Sequence, residues 1–236
     1  MNQIIDFLLE PYQTASTFNI ILEFTAALFG IISVFFAKKE NILVYPTGII
    51  STGIYVYLLS QWNLYGDLII NIYYTLMSIF GWYMWSKIID DKKNHIPITR
   101  TSTMDKFKAI GIFLFTSIFV IIVYRYYNVM PNVLNFNESV QYAFTNLTSG
   151  SLDKFRQATP FIDTFTTGIF FAAMWLMALK KIENWTLWII GNIASIPLYF
   201  VKGYGFTGIQ YIIFLILAIL AYKQWKKTLN SNHQTA

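Results

Sequence analysis

The sequence predicts an all-α integral membrane protein with seven transmembrane helices, arranged as three helices, one connecting helix and three more. Composition is the first reason: 56% of the 236 residues are apolar and only 12% are charged, against roughly 25% charged residues in soluble proteins. A single soluble core cannot cover that much apolar surface, because a domain of this length buries only part of its chain. The number of long apolar runs and the distribution of lysines between them are the second and third reasons.

Seven apolar runs are long enough to cross the hydrocarbon of a bilayer, which takes about 20 residues of helix. They are Phe18–Ala37, Ile42–Ser60, Leu68–Ser86, Phe107–Tyr127, Phe161–Leu179, Trp185–Val201 and Phe206–Gln224, named spans 1 to 7 below. Residues 1–17 precede them, with apolar side chains on one helical face. We interpret this segment as a short helix in the membrane interface, with a frayed terminus as the alternative.

Basic residues predict the orientation of the spans, because cytoplasmic loops carry an excess of Lys and Arg. With the N-terminus outside and the C-terminus in the cytoplasm, thirteen of the seventeen basic residues fall on the cytoplasmic side. An extra or missing helix would destroy this alternation, so the bias supports both the count and the topology. The net charge of +5 is spread over several short segments, and we therefore expect no nucleic-acid partner.

The chain divides into the N-terminal segment 1–17, a first three-helix repeat 18–86, a linker 87–160, a second three-helix repeat 161–227 and a cytoplasmic tail 228–236. The linker contains span 4 and a long outer loop. Each repeat ends in a Trp–Lys signal, Trp85-Ser86-Lys87 and Trp225-Lys226-Lys227. With one inserted residue after matching lysine pairs, Tyr45 falls on Trp188 and Gly48 on Gly191. Because span 4 restores the direction of the chain, the two repeats are parallel, as in SWEET transporters; chance similarity of apolar runs is the alternative.

Parallel repeats usually hold a substrate between them near the middle of the membrane, and span 6 has a face suited to that position. Trp185, Trp188, Asn192, Ser195 and Tyr199 share this face at spacings of three and four. Aromatic rings stack on flat ligands or hold a cation over their faces, and a carboxamide both donates and accepts hydrogen bonds. The alternative is that the polar members join two helices.

Spans 3 and 7 supply further candidate contacts with the substrate. Asn71 and Tyr74 lie on one face of span 3, while Gln210 and Tyr211 lie near the outer end of span 7. Polar groups inside the hydrocarbon usually face protein or a water-filled cavity. Helix packing is the alternative for the two amides, and a place in the core or the aromatic belt for the two tyrosines.

Two acidic residues and two prolines lie inside predicted spans. Glu23 and Asp163 are a few residues from the outer ends of spans 1 and 5. They predict an acidic entrance that concentrates a cationic substrate, unless they simply reach the lipid headgroups. Pro46 and Pro197 each remove a backbone hydrogen bond within a span, which makes them hinge candidates or static kinks.

Several kinds of chemistry are missing from the sequence. There is no cysteine, and the two histidines, His95 and His233, have no partner at the spacing of metal ligands, so we expect no metal and no cofactor. The sequence has no P-loop for ATP hydrolysis. No pairing of nucleophile and base is visible either, so we expect no enzyme activity.

The chain resembles the bacterial nicotinamide riboside transporters, the PnuC family. The resemblance extends from Leu22 to Lys227 and is most specific in Asn71-Ile72-Tyr73-Tyr74, Gly81-Trp82-Tyr83-Met84-Trp85 and Trp185-Thr186-Leu187-Trp188 followed by Asn192. It implies a SWEET-like fold and a location in the bacterial cytoplasmic membrane. It also implies facilitated diffusion of nicotinamide riboside, trapping by a cytoplasmic kinase, and substrate contacts at Trp185, Trp188 and Asn192. A homo-oligomer is a further possibility.

Three other functions remain open from the residues alone. Thiamine is also a flat cation, so the aromatic face does not separate it, or other vitamins and nucleosides, from nicotinamide riboside. A SWEET-type facilitator would bind an uncharged sugar. A membrane scaffold would transport nothing and would tolerate changes at Trp188 and Asn192.

Overall fold

A computed structural model of the chain describes residues 16–61, 65–87, 96–131, 133–203 and 205–234. These residues form eight helices: α1 (Thr17–Lys38), α2 (Val44–Gln61), α3 (Tyr65–Ser86), α4 (Thr103–Tyr126), α5 (Phe136–Thr148), α6 (Leu152–Ala178), α7 (Asn184–Val201) and α8 (Gly205–Gln234). The all-helical prediction is confirmed. Nearly all of the predicted segment 1–17 lies outside the described residues.

Four of the helices, α1, α4, α6 and α8, are long and apolar enough to cross a membrane by length and composition. The chain is therefore a multi-pass membrane protein. The other three predicted spans coincide with α2, α3 and α7. Their mean hydropathy is lowered by the hydroxyl, amide and aromatic residues that, as shown below, face a central cavity.

Six helices form a closed ring around that cavity. Going around the ring, α1 contacts α2, α2 contacts α3, α3 contacts α6, α6 contacts α7, α7 contacts α8, and α8 returns to α1. Helices α4 and α5 lie outside the ring, each against α6. The ring therefore consists of α1–α3 and α6–α8, which meet each other at the α3–α6 and α8–α1 junctions.

Three helices, α1 in the ring and α4 and α5 outside it, begin at side chains that satisfy free backbone N–H groups. Ser16 caps α1 by accepting a hydrogen bond from the Asn19 N–H at 3.2 Å. Ser102 with Asp105 starts α4 as a reciprocal capping box, and Asn135 with Glu138 does the same for α5. The connection between α4 and α6 thus contains a helix whose start is encoded locally.

The two ring halves share the same local geometry at a constant separation of 140 residues. Glu40 and Lys180, which are that far apart, both have left-handed backbone conformations, with φ of 57° and 50°. Trp85 Nε1 donates to the Met177 carbonyl at 3.2 Å across the α3–α6 junction. Its counterpart, Trp225 Nε1, donates to the Ala37 carbonyl at 2.9 Å across the α8–α1 junction.

This geometry corrects the register predicted for the repeat. The ring of Tyr45 meets Trp85 edge to face at 5.1 Å, and the ring of Trp185 meets Trp225 in the same way at 5.5 Å. Tyr45 therefore corresponds to Trp185, not to Trp188, and no residue is inserted. The prediction was wrong because it aligned the two lysine pairs. The equivalent residues are instead Glu40 and Lys180, whose left-handed backbone conformations lie in the turns that reverse the chain.

One end of the ring, named the lysine-rich end below, holds the turns with Lys38, Lys39, Lys180 and Lys181. A cluster of buried aromatic residues closes this end. It is named the plug and consists of Tyr45, Trp85, Trp185 and Trp225. Each of these side chains is at most 3% exposed. Lys180 covers the plug, with its ammonium 4.5 Å from the Trp85 ring. Burial lowers the pKa of Lys180, and the nearby Glu40 carboxylate opposes that effect.

A short stretch of the linker, residues 96–102, is fixed to the turn between α6 and α7. The Thr99 N–H donates to the Lys180 carbonyl at 3.1 Å, and the Ile182 N–H donates to the Thr99 carbonyl at 3.0 Å. An ion pair between Lys181 and Asp105 at 3.2 Å adds to this contact. The linker therefore holds α4 to the second half at this end of the bundle.

The two prolines differ in their positions. Pro46 lies in the first turn of α2, which begins at Val44; N–H groups there lack partners within the helix, so a proline removes little. Pro46 therefore weakens its helix little, and its role as a hinge remains a prediction. Pro197 lies inside α7, and its role as a hinge remains a prediction.

Candidate functional site

A cavity of about 830 Å³ lies between the two halves of the ring. Its lining runs from Ser16 and Glu23 to Ala37 on α1, and from Asp163 to Met177 on α6. On α7 the order is reversed, from Trp185 to Tyr199. The cavity thus has a mouth at the end of the bundle opposite the lysine-rich turns, and the plug forms its floor.

All eight predicted substrate-contacting residues line this cavity, as do both predicted acidic residues. The lining includes Asn71, Tyr74, Trp185, Trp188, Asn192, Tyr199, Gln210 and Tyr211, together with Glu23 and Asp163. Trp185 lies at the floor and is 2% exposed, because it is part of the plug. Trp188 and Asn192 lie one and two turns further along α7, towards the mouth.

Trp188 and Asn192 present buried polar atoms that no described protein group satisfies. Both Trp188 Nε1 and Asn192 Oδ1 are inaccessible and lack a hydrogen-bond partner among the described residues. Leaving such a group unpaired costs about 1–3 kcal/mol. Since both residues line the cavity, a bound ligand that accepts from the indole and donates to the amide oxygen would remove this cost.

A row of nearly parallel rings crosses the cavity beside these two residues. Phe170 stacks on Trp188, with centroids 5.1 Å apart and planes at 28°. On its other side Phe170 meets Tyr211 at 6.0 Å, and Tyr211 stacks on Tyr199 at 4.9 Å. This row, formed by Trp188, Phe170, Tyr211 and Tyr199, is named the aromatic row below. It can hold a flat ring along its edge.

The sequence analysis did not identify Phe170, although the glycine at position 191 leaves room for a bulky side chain against α7. A Cβ placed on Gly191 would lie 2.2 Å from Phe170 Cε1, so only glycine leaves room for this ring. What Gly191 admits is therefore the side chain of Phe170. The position of Phe170 beside Trp188 thus depends on the absence of a side chain on α7.

The two amides of spans 3 and 7 have different surroundings. Asn71 donates from Nδ2 to the Asp67 carbonyl at 2.9 Å within α3, which leaves its oxygen as an acceptor. Gln210 reaches across from α8 towards Gly30 on α1: its Nε2 would be 3.7 Å from a Cβ placed there. The Gln210 amide therefore lies between the two halves.

The first half lines the cavity with small hydroxyl residues that the sequence analysis did not identify. Ser33 Oγ donates to the Val44 carbonyl and Ser51 Oγ to the Ala26 carbonyl, each at 2.7 Å. These bonds tie α1 to α2, and the hydroxyl oxygens keep acceptor capacity. The aromatic row thus belongs to the second half, and the first half adds small hydroxyl groups to the lining.

The mouth carries three carboxylates, from Glu23, Asp67 and Asp163. Asp163 forms an ion pair with Lys202, and the Tyr124 hydroxyl donates to it at 3.4 Å. None of the described residues that line the cavity is Lys or Arg. Asp67 escaped the sequence analysis because it immediately precedes the predicted start of span 3. The mouth is therefore acidic overall.

Comparisons with known proteins agree with this architecture. The family model described as nicotinamide mononucleotide transporter matches residues 20–227. The chain is 24% identical to the nicotinamide riboside transporter PnuC of Escherichia coli K12, covering 86% of this chain and 84% of that one. It is 27% identical to the transporter of the same name from Neisseria mucosa, covering 86% of this chain and 70% of that one.

Two further similarities concern the fold and the substrates named for the relatives. A crystal structure of the vitamin B3 transporter PnuC superposes with a TM-score of 0.59 at 23% identity, covering 89% of this chain and 82% of that chain. The riboflavin/roseoflavin transporter RibM of Streptomyces davaonensis is 22% identical over 63% of this chain and 58% of its own length. Because the family model spans nearly the whole helical ring, this chain belongs to the nicotinamide mononucleotide transporter family.

Proposed function

We propose that this protein carries nicotinamide riboside across the bacterial cytoplasmic membrane by facilitated diffusion. Its relatives in Escherichia coli and Neisseria mucosa are named as nicotinamide riboside transporters, and its cavity combines the aromatic row with hydroxyl groups. The sequence has no nucleotide-binding P-loop, which is consistent with movement down a gradient. Phosphorylation by a cytoplasmic kinase would then retain the substrate.

The charge of the cavity carries the choice of substrate. The family description names the mononucleotide, which has a phosphate group of charge about −1.5 to −2, whereas the riboside has only the positive pyridinium ring. Three carboxylates line the mouth, of which one is paired with Lys202, and none of the described lining residues is basic. Such a mouth attracts a cation and repels a phosphate. The riboside is therefore the better fit.

The second half offers groups that match the nicotinamide ring. A pyridinium over the Trp188 face gains a cation–π interaction. A carboxamide substituent can donate to Asn192 Oδ1, and a ligand oxygen beyond the edge of the indole can accept from Trp188 Nε1; both atoms are among the buried polar atoms left without partners in the described part of the chain. A ligand with both features satisfies the stacking surface and the two polar atoms together.

The architecture that supports this function is a ring of six spans plus the connecting helix α4, seven in all, with a SWEET-like parallel repeat. The reciprocal junctions and the constant separation of 140 residues between equivalent positions support this arrangement. With the lysine-rich turns in the cytoplasm, the cavity faces outwards and the plug closes the inner side. The carrier would then work by alternating access, with Pro197 as the hinge candidate.

The test is to measure binding to the purified protein by titration calorimetry with nicotinamide riboside, nicotinamide mononucleotide, thiamine and riboflavin. We expect the riboside to bind tightly and the mononucleotide much more weakly. Tight binding of the mononucleotide would overturn the charge argument. Preference for thiamine or riboflavin would keep the carrier but change its substrate, and silence with all four would favour a sugar facilitator or a scaffold.

Transport itself is tested in liposomes loaded with unlabelled riboside, by following uptake of labelled riboside. We expect exchange to proceed without ATP and to persist after a protonophore collapses the proton gradient. Loss of exchange under the protonophore would exclude facilitated diffusion. Asp67→Asn should slow uptake at low ionic strength more than at high ionic strength, since steering by a charge is screened by salt.

A further inference from the structure

Helix α5 has three distinct stripes along its surface. One stripe is apolar and exposed, one is polar and exposed, and the third is turned towards α6. The apolar stripe consists of Phe136, Val140, Phe144 and Leu147, exposed by 79%, 54%, 67% and 39%. The polar stripe consists of Asn137, Gln141, Thr145 and Thr148. Positions three or four apart share a face of a helix, so each stripe is continuous.

The third stripe fixes the helix in place. Tyr142 packs on Phe161 of α6 at 6.0 Å between centroids, and its hydroxyl donates to Gln157 Oε1 at 3.1 Å. At the other flank, Arg125 at the end of α4 donates to the Leu134 carbonyl at 2.7 Å and to Ser139 Oγ at 3.3 Å. These contacts decide which side of α5 is left uncovered.

The uncovered apolar stripe continues a surface that already faces lipid. Helix α4 contacts α6 and otherwise exposes apolar side chains, among them Phe115 at 76% and Ile122 at 60%. It ends in Tyr126 and Tyr127, exposed by 78% and 65%, and tyrosines concentrate where hydrocarbon meets headgroups. Helix α5 starts nine residues later, so it begins close to the depth of the headgroups.

We propose that α5 lies in the membrane interface, with its apolar stripe in the lipid and its polar stripe in water. Adjacent apolar and polar faces on a short helix are the pattern of helices that lie in the plane of the interface. The leaflet is the one onto which the cavity opens, since Asp163 at the mouth also contacts the end of α4 through Tyr124. Because α5 packs on α6, lipid contact at α5 braces the helix that carries Asp163 and Phe170.

The experiment uses the absence of cysteine from the native sequence. Nitroxide labels are attached to the single variants Phe144→Cys and Gln141→Cys. Position 144 lies in the apolar stripe of α5, and position 141 lies in the adjacent polar stripe. In liposomes, collision of the label with oxygen, which partitions into lipid, is compared with collision with a water-soluble nickel chelate. We expect the oxygen-to-nickel ratio to be severalfold higher at position 144 than at position 141.

Equal access of the nickel chelate to both positions would overturn the proposal, because the apolar stripe would then face water. Dipolar broadening at position 144 that disappears on dilution with unlabelled protein would also overturn it, since the stripe would then face a second copy of the chain. Phe136→Cys repeats the apolar measurement at the start of the helix, so a folding defect of Phe144→Cys does not decide the outcome.

Discussion

Replacing Trp188 separates two contributions of this side chain to substrate binding. Trp188→Ala removes both the ring that faces the cavity and the Nε1–H that lacks a partner among the described residues. A desolvated cation–π interaction contributes about 2 kcal/mol, and a net hydrogen bond about 1 kcal/mol. At 1.4 kcal/mol per tenfold, we expect the affinity for nicotinamide riboside to fall on the order of 100-fold.

Trp188→Phe keeps an aromatic face but removes the donor, so its expected loss is about fivefold, well below that of the alanine variant. Titration calorimetry on the detergent-purified variants measures both values. Trp82→Ala is the matched control, because Trp82 is 43% exposed and lies outside the lining of the cavity. If Trp188→Ala folds and binds with native affinity, or if Trp82→Ala weakens binding equally, then Trp188 is not a stacking surface.

Three further predictions test the aromatic row, the plug and the mouth. Gly191→Ala should displace the ring of Phe170, lower the free energy of unfolding by about 1–3 kcal/mol and weaken substrate binding. Gly53→Ala is the control, because a Cβ at position 53 meets nothing within 4 Å; this variant should leave thermal stability and binding unchanged. Trp225→Phe should loosen the plug. The measurement is the rate at which a cysteine introduced at the floor of the cavity reacts with a thiol reagent added from the cytoplasmic side, and we expect this rate to rise. An unchanged rate would count against a sealing role of the plug. Asp67→Asn should lower the association rate of the riboside at low salt and leave its dissociation rate nearly constant; a change confined to dissociation would place Asp67 in direct contact instead.

The seven long apolar helices and ten of the residues that line the cavity were predictable, because hydropathy and helical periodicity are local properties. Trp188 and Asn192 share a face of α7 by spacing alone, and the structure turns that face towards the cavity. The starts of helices that extend beyond the apolar runs were not predictable in this way. Helix α6 begins at Leu152, well before the predicted Phe161, because its first turns pack against α5 and need not be apolar.

What the sequence did not reveal depends on contacts between distant segments. Phe170 becomes part of the site only because Gly191, on another helix, leaves space for it. The register of the repeat depends on left-handed residues at Glu40 and Lys180, and neither residue type signals that conformation. Asp67 belongs to the site because α3 brings the mouth together, although by sequence it lies outside a span.

The two tryptophan hydrogen bonds that cross the junctions have a consequence for the energy of opening. Trp85 holds α3 to α6, and Trp225 holds α8 to α1. Each half therefore donates one hydrogen bond to the other, and the lysine-rich end of the ring is held at two points. A net hydrogen bond contributes only about 1 kcal/mol, so neither fastening is strong on its own. A barrier made of a few such bonds and of repacking aromatic rings lies within reach of thermal fluctuation, which is what a carrier without ATP requires.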